Sequence, residues 1–266
     1  MFDSIAGDYD ALNHILSLDV DKIWRKKALK QIVDAPAPAR VLDLACGTGD
    51  FSIAIAKALS RSHKRVGTPI EAHVKAPAKA PVEAQVTSTG FVTGDSGRSD
   101  LMTKGHVTGV DLSEGMLAVM REKVGKAGLT EMISIEEGDG ENLRFPDNTF
   151  DRVTIAFGIR NFEDREKGLR EMLRVLKPGG RLVILELSSP ENKVIRWFYD
   201  LYFLHILPKI GGKVSGDKAA YAYLPASVAA FPGKKSFMAT MREAGFRTVT
   251  HKAFTLGICR MYTGEK

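Results

Sequence analysis

The stretch Val41-Leu42-Asp43-Leu44-Ala45-Cys46-Gly47-Thr48-Gly49-Asp50 constrains what this chain can fold into more than any other. An apolar run passes into a turn with two glycines and then into a helical pattern, and a strand-turn-helix of this kind opens a βαβ unit. Gly47 and Gly49 remove side chains where a ligand must meet the backbone, and the start of the next helix exposes N–H donors. A dinucleotide site asks for Gly-x-Gly-x-x-Gly, but the third glycine position holds Ser52, and Asp43 and Asp50 flank the loop. Acidic flanks suit a cationic ligand better than a diphosphate. The two glycines alone are also what a tight strand-to-helix turn shows.

The alternation continues along the chain. Strands are predicted at Arg40–Leu44, 107–110, 132–135, 150–155 and 181–187, with helices at 51–59, 113–127 and 165–176. This order predicts an α/β fold, a Rossmann-like open sheet that is mostly parallel with helices on both faces. The tail changes character. A helix over 234–244 stops at Gly245, and 247–253 and 257–262 then read as a C-terminal antiparallel hairpin added to the sheet. One domain over 1–266 is expected, with a helical preface at 1–39 in which Ile23, Trp24, Ala28 and Ile32 recur at helical spacing. Residues 60–105 interrupt the rhythm. They are rich in Ala, Pro, Lys, Ser and Gly, cannot bury enough apolar surface to offset ordering entropy, and read as a flexible insertion.

Composition removes several classes. No apolar run reaches the roughly 18 residues that cross a bilayer, and Met1-Phe2-Asp3-Ser4 lacks the pattern of a secretion signal. Only Cys46 and Cys259 are present, so reduced thiols in a cytoplasmic setting are expected rather than a disulfide framework, and no metal site is expected without paired His/Cys spacing. The net charge of +6 does not by itself mark a nucleic-acid binder.

Two further positions complete a candidate site. Asp111, in Val110-Asp111-Leu112-Ser113, places a carboxylate at a strand's C-terminal end, where it can accept hydrogen bonds from both hydroxyls of a ribose; Ser113 is the better placed of the two to cap the following helix. After the next strand comes Glu137-Gly138-Asp139-Gly140-Glu141-Asn142, where Asp139 can accept from an adenine amino group and Gly140 leaves room for a ring. Taken alone it is also an ordinary polar loop.

In this order, the loop 43–49, Asp111 and Asp139 resemble the cofactor site of the S-adenosylmethionine-dependent methyltransferases with a Rossmann-like fold. More narrowly, the chain is similar to the ubiquinone/menaquinone biosynthesis C-methyltransferase family. The likeness is carried by residues 9–17 with Trp24-Arg25, by 174–188, and by 156–161 and 222–228. The resemblance implies S-adenosyl-L-methionine as cofactor, held by Asp43, Gly47, Thr48, Gly49, Asp111, Asp139 and Gly140, with the backbone of Ala156 standing where the family often has serine. Asp21 stands where the family has histidine, and the insertion lengthens the usual spacing from Gly49 to Asp111.

The implied reaction is C-methylation of a polyprenylated quinol, converting demethylmenaquinol to menaquinol. Alternatives are 2-methoxy-6-polyprenyl-1,4-benzoquinol on the route to ubiquinone, another lipid or phenol, or a non-catalytic cofactor-binding protein. Arg160 and Asn161 are the catalytic candidates: the fixed charge of Arg160 can stabilise a phenolate, though a guanidinium is no proton acceptor at neutral pH, and Asn161 can hold the other ring oxygen. Arg160 can equally pair with Glu163 or Asp164. Tyr9 and Asp10 are candidates for closing over substrate, and His14 and His205 for proton acceptors. The aromatic stretch 194–208 can wall a prenyl channel, lie at a membrane surface, or pack as a buried helix. The expected partner is therefore a quinol, with peripheral membrane contact and self-association into a homo-oligomer both left open. No nucleic acid is expected, because a basic, aromatic-interleaved surface segment is lacking.

Overall fold

The computed structural model of the chain describes residues 20–35, 39–66, 105–201 and 218–266. Most of the insertion, together with Tyr9, Asp10, His14 and His205, lies outside them. The described residues form a seven-stranded sheet of order β3-β2-β1-β4-β5-β7-β6. Its strands are β1 (Arg40–Leu44), β2 (His106–Asp111), β3 (Ile133–Glu137), β4 (Phe150–Ala156), β5 (Leu176–Leu187), β6 (Arg247–Phe254) and β7 (Cys259–Glu265). Strands β1 to β5 pair in parallel, while β7 runs antiparallel to both β5 and β6. Chain order reverses between β1 and β4. In an open α/β sheet, the crevice outside the carboxyl ends at that point is where ligands bind.

Both faces of the sheet are covered, which explains why β1 reads as nearly continuous apolar sequence. On one face Val41 packs with Trp24, Ala28 and Ile32 of α1 (Val20–Ile32), with Phe51 and Ile55 of α2 (Asp50–Val66), and with Leu117 and Met120 of α3 (Glu114–Lys126). On the other, Leu42 and Leu44 pack with Leu169 and Met172 of α4 (Arg165–Val175) and Phe237 of α7 (Lys234–Glu243). The remaining helices are α5 (Lys193–Asp200) and α6 (Lys218–Ala230). Ser113 caps α3, its side chain accepting from the Met116 N–H, and Asp164 caps α4 by accepting from Lys167.

Several boundaries differ from the sequence expectation: α2 runs on to Val66, so residues 60–66, expected in the insertion, are helical, and β7 covers Cys259–Glu265 rather than 257–262. The buried stripe of α1 is Asp21, Trp24, Ala28 and Ile32, while Ile23 is 55% exposed, because it lies roughly 100° around the helix from Trp24. Strand β5 starts at Leu176 rather than 181, and α4 stops at Val175. The pairing jumps from Phe150↔Leu176 to Arg152↔Arg181, so Lys177-Pro178-Gly179-Gly180 is accommodated as an irregularity within the strand. Gly179 takes φ +75°, open only to glycine without strain. The apolar side chain of Leu176 extends the helical pattern by one residue, which is why periodicity alone overruns.

Phe237 is fully buried between Phe231 and Tyr262, with ring centroids 4.9 and 4.8 Å away. Phe237→Ala should cost about 3–5 kcal/mol. The check is urea denaturation, read as a lower midpoint at unchanged slope.

Candidate active site

A cavity of about 330 Å³ opens at the carboxyl ends of β1, β2 and β4. A smaller one of about 30 Å³ adjoins it beside α2, and Ala45, Gly47, Ala156 and Phe157 line both. Ala45 and Phe157, at the ends of neighbouring strands, adopt φ of 49° and 64°, a region that costs a side-chain-bearing residue energy. Gly158 lets these ends approach, since a Cβ there would sit 2.4 Å from that of Ala45. The strained turn is thus fixed by close packing between β1 and β4.

Asp111 is the best-anchored carboxylate of the larger cavity. One of its oxygens accepts from the Gly47 N–H at 2.8 Å and the other from the Ser113 N–H at 2.9 Å. Both bonds orient the group, which lines the cavity. Across the cavity, Asp139 accepts from the Glu141 N–H at 2.8 Å and is exposed at the rim. Gly140 lines the wall, but the ring for which it leaves room is that of Phe162, whose Cζ would lie 2.6 Å from an added Cβ. Gly168 packs on the same ring.

Asp43 and Thr48 belong to the smaller cavity. Asp43 is the one acidic side chain of β1 and is covered by α2, where the Ser52 hydroxyl donates to it at 2.6 Å. Burial pushes its carboxyl up to about 7, against the pull of the Ser52 hydrogen bond and the Arg25 charge. The Thr48 hydroxyl accepts from Lys123 at 3.2 Å. Gly49 lines neither cavity. It holds φ +82°, and an added Cβ would meet Met120 Cγ at 2.4 Å, so its missing side chain serves the fit of α3 against the loop. The buried thiols of Cys46 and Cys259 are both pushed up by burial and are correspondingly inert.

Arg160 and Asn161 separate. Asn161 lines the larger cavity, and its Oδ1 accepts from the Tyr223 hydroxyl of α6 at 2.9 Å. The structure does not bring the Arg160 guanidinium to the cavity. It forms a buried ion pair with Glu186 of β5 at 2.9 Å, donates from Nε to Ser227 of α6 at 3.3 Å, and donates to the Phe157 carbonyl. The partner is therefore Glu186 rather than Glu163 or Asp164, because the side chain turns inward under β5. The lone acid in the apolar run 182–187 is the signal that announces such a partner. Glu141, Phe157 and Phe162 also line the larger cavity and were not singled out from sequence. Glu141 is built in, accepting from the Glu163 and Asp164 N–H groups.

Fold and site together define a Rossmann-like protein with a nucleoside-sized crevice at its topological switch point. The fold is shared with a SAM-dependent methyltransferase from Aquifex aeolicus, at TM-score 0.53 and 19% identity over 90% of this chain and 88% of that one. It is also shared with a putative S-adenosyl-L-methionine-dependent methyltransferase from Methanococcus maripaludis, at TM-score 0.59 and 17% identity over 100% and 94%. The model of the ubiE/COQ5 methyltransferase family matches residues 1–266, and the chain belongs to that family. Relatives include the ubiquinone/menaquinone biosynthesis C-methyltransferase UbiE of Geobacter sulfurreducens, 44% identical over all of this chain and 87% of that protein. The demethylmenaquinone methyltransferases of Bacteroides fragilis and Thermus thermophilus are 39% and 37% identical over all of this chain and 91% and 100% of theirs.

The raised carboxyl of Asp43 gives a pH signature. A folded-state value above the unfolded one means the native state holds the proton more tightly, so this contribution is present at low pH and is lost as pH rises from about 4 to about 7. Glu171 and Glu191, held low by Arg174 and Lys234, act in the opposite sense. Subtracting the melting profile of Asp43→Asn from that of the parent isolates Asp43. The variant should gain stability relative to the parent across that window, by an amount on the order of a few kcal/mol.

Proposed function

We propose that the protein transfers the methyl group of S-adenosylmethionine to a ring carbon of a polyprenylated quinol, converting demethylmenaquinol to menaquinol. The observation that carries this is the doubly anchored Asp111 in a nucleoside-sized crevice of a chain that belongs to the ubiE/COQ5 methyltransferase family. Methylation of a 2-methoxy-6-polyprenyl-1,4-benzoquinol is the second reading, favoured by relatives whose name covers both quinones.

The residues present fit the cofactor. Asp111 takes the ribose hydroxyls, Asp139 and the Gly140 wall take the base, and Asp43, Gly47 and Thr48 surround the amino-acid end; we assign Gly49 to shaping the loop. The bound cofactor supplies an electrophilic sulfonium methyl group. In that transfer the ring carbon would gain the methyl group as the sulfur–methyl bond breaks with its electron pair left on sulfur, and the ring proton would pass to solvent. The chain must hold the quinol oxygen, exclude water and orient the ring. Asn161 is at the cavity and is the residue we assign to the quinol oxygen. Arg160 is a positioning residue, bracing the turn Ile159–Asn161 against Glu186 and Ser227. On α5, Val194, Trp197 and Phe198 are exposed beside Lys193 and Arg196, which supports contact with a prenyl tail or with lipid headgroups. Among the described residues no helix is long and apolar enough to cross a membrane.

Labelled methyl transfer to short-tailed demethylmenaquinol and, in parallel, to the methoxybenzoquinol tests the reading. Product from the naphthoquinol is expected. Product from the benzoquinol alone selects the second reading, and none from either, with cofactor bound, rejects both. In the same assay Asp111→Ala should weaken cofactor binding by about 10- to 100-fold through loss of charged hydrogen bonds. Asn161→Ala should keep cofactor affinity and lower kcat.

A further inference from the structure

The smaller cavity carries charges of both signs. Asp43 and Asp50 line it, and so does Arg25, which comes from α1 rather than from the sheet. Arg25 is mostly buried and is held from three sides. Its Nη1 lies 3.5 Å from Asp50 Oδ2, its Nε 3.7 Å from Asp21 Oδ2, and its guanidinium carbon 5.7 Å from the centre of the Phe157 ring. Both ion-pair separations exceed ordinary hydrogen-bond lengths, and the buried Nε donates no hydrogen bond. Asp50 is already engaged on its other oxygen by Lys123. A guanidinium presents donors in a planar fork that matches the two oxygens of a carboxylate, and a buried donor left without an acceptor is costly.

The space beside it has the size of such a group. At about 10–15 Å³ for each ordered water, a volume of about 30 Å³ accommodates two oxygen-sized atoms. It shares Ala45, Gly47, Ala156 and Phe157 with the larger cavity, which places the two sites side by side for one ligand. We propose that Arg25 binds the carboxylate at the amino-acid end of S-adenosylmethionine, which makes α1 part of the cofactor site as well as a cover for the sheet. This rests on the cofactor reading given above. The ammonium of the same amino-acid group faces an acidic wall, Asp43 and Asp50, and without Arg25 that wall would repel the carboxylate. The position of Arg25 does not depend on the ligand, since α1 is anchored by buried Trp24, Ala28 and Ile32 and by the Trp24 indole N–H donating to Thr255 at 2.9 Å.

Calorimetric titration of three ligands tests this: S-adenosylhomocysteine, its decarboxylated analogue, which keeps the amine, and 5′-methylthioadenosine, which lacks the whole amino-acid end. Arg25→Gln should weaken S-adenosylhomocysteine by about 10- to 100-fold and leave the other two unchanged, with Arg25→Lys recovering part of the loss. Equal weakening of all three, or of none, overturns the assignment. Asp111→Ala should weaken all three. If the parent protein binds none of them, the cofactor reading itself fails and takes this inference with it, an outcome distinct from a parent that binds and an Arg25 variant that does not discriminate.

Discussion

The hydrogen bond from the Gly47 N–H to Asp111 is the contact on which the site depends. It ties the loop after β1 to the end of β2, beside a second tie from the Cys46 N–H to the Val110 carbonyl at 3.1 Å. The parallel ladder from Arg40↔His106 to Leu44↔Val110 sets the two strand ends level, and these bonds extend the pairing into the loop. With these bonds in place, Ala45 is held at positive φ and the Asp111 carboxylate is aimed before any ligand arrives. Preorganisation of this kind removes an ordering cost from binding.

The same loop explains why charge is distributed unevenly across the crevice. Asp111 is half-buried and Asp139 exposed, whereas Asp43 lies under α2, where the Ser52 hydrogen bond and the more distant Arg25 charge favour its ionised form and the Asp111 charge opposes it. A cation arriving in the smaller cavity would favour the ionised form of Asp43 and draw its carboxyl back down. Binding of an ammonium there would be coupled to loss of a proton from the protein.

Much of this was legible in the sequence because it is local. The turn glycines, the strand-terminal aspartates and the final hairpin follow from short-range pattern, and the mostly parallel sheet follows from βα alternation. What was not legible depends on distant packing. Gly49 and Gly140 read as making room for a ligand, yet their nearest obstacles are Met120 and Phe162, residues 71 and 22 positions away in the chain. Arg160 read as facing the substrate, since nothing in its neighbourhood reveals that β5 brings Glu186 beneath it. Arg25, one basic residue among several on a charged helix, acquires meaning only when Phe157 and Asp50 are seen around it.

The buried Arg160–Glu186 pair also changes how a loss of activity at that position should be understood. Taking two charges out of water is costly, and breaking such a pair leaves the survivor uncompensated. Glu186 is fully buried and also accepts from the Arg160 and Leu187 N–H groups, so it fixes the backbone on which Asn161 sits. Ser227 and Tyr223 of α6 contact the same turn, one through Arg160 and the other through Asn161. Truncating Arg160 would therefore shift Asn161 and α6 together. A fall in turnover at that position would then follow from displacement of the turn that carries Asn161. The pair thus belongs to the support of the site, and its exchange for a well-packed neutral pair that preserves the turn would separate support from chemistry.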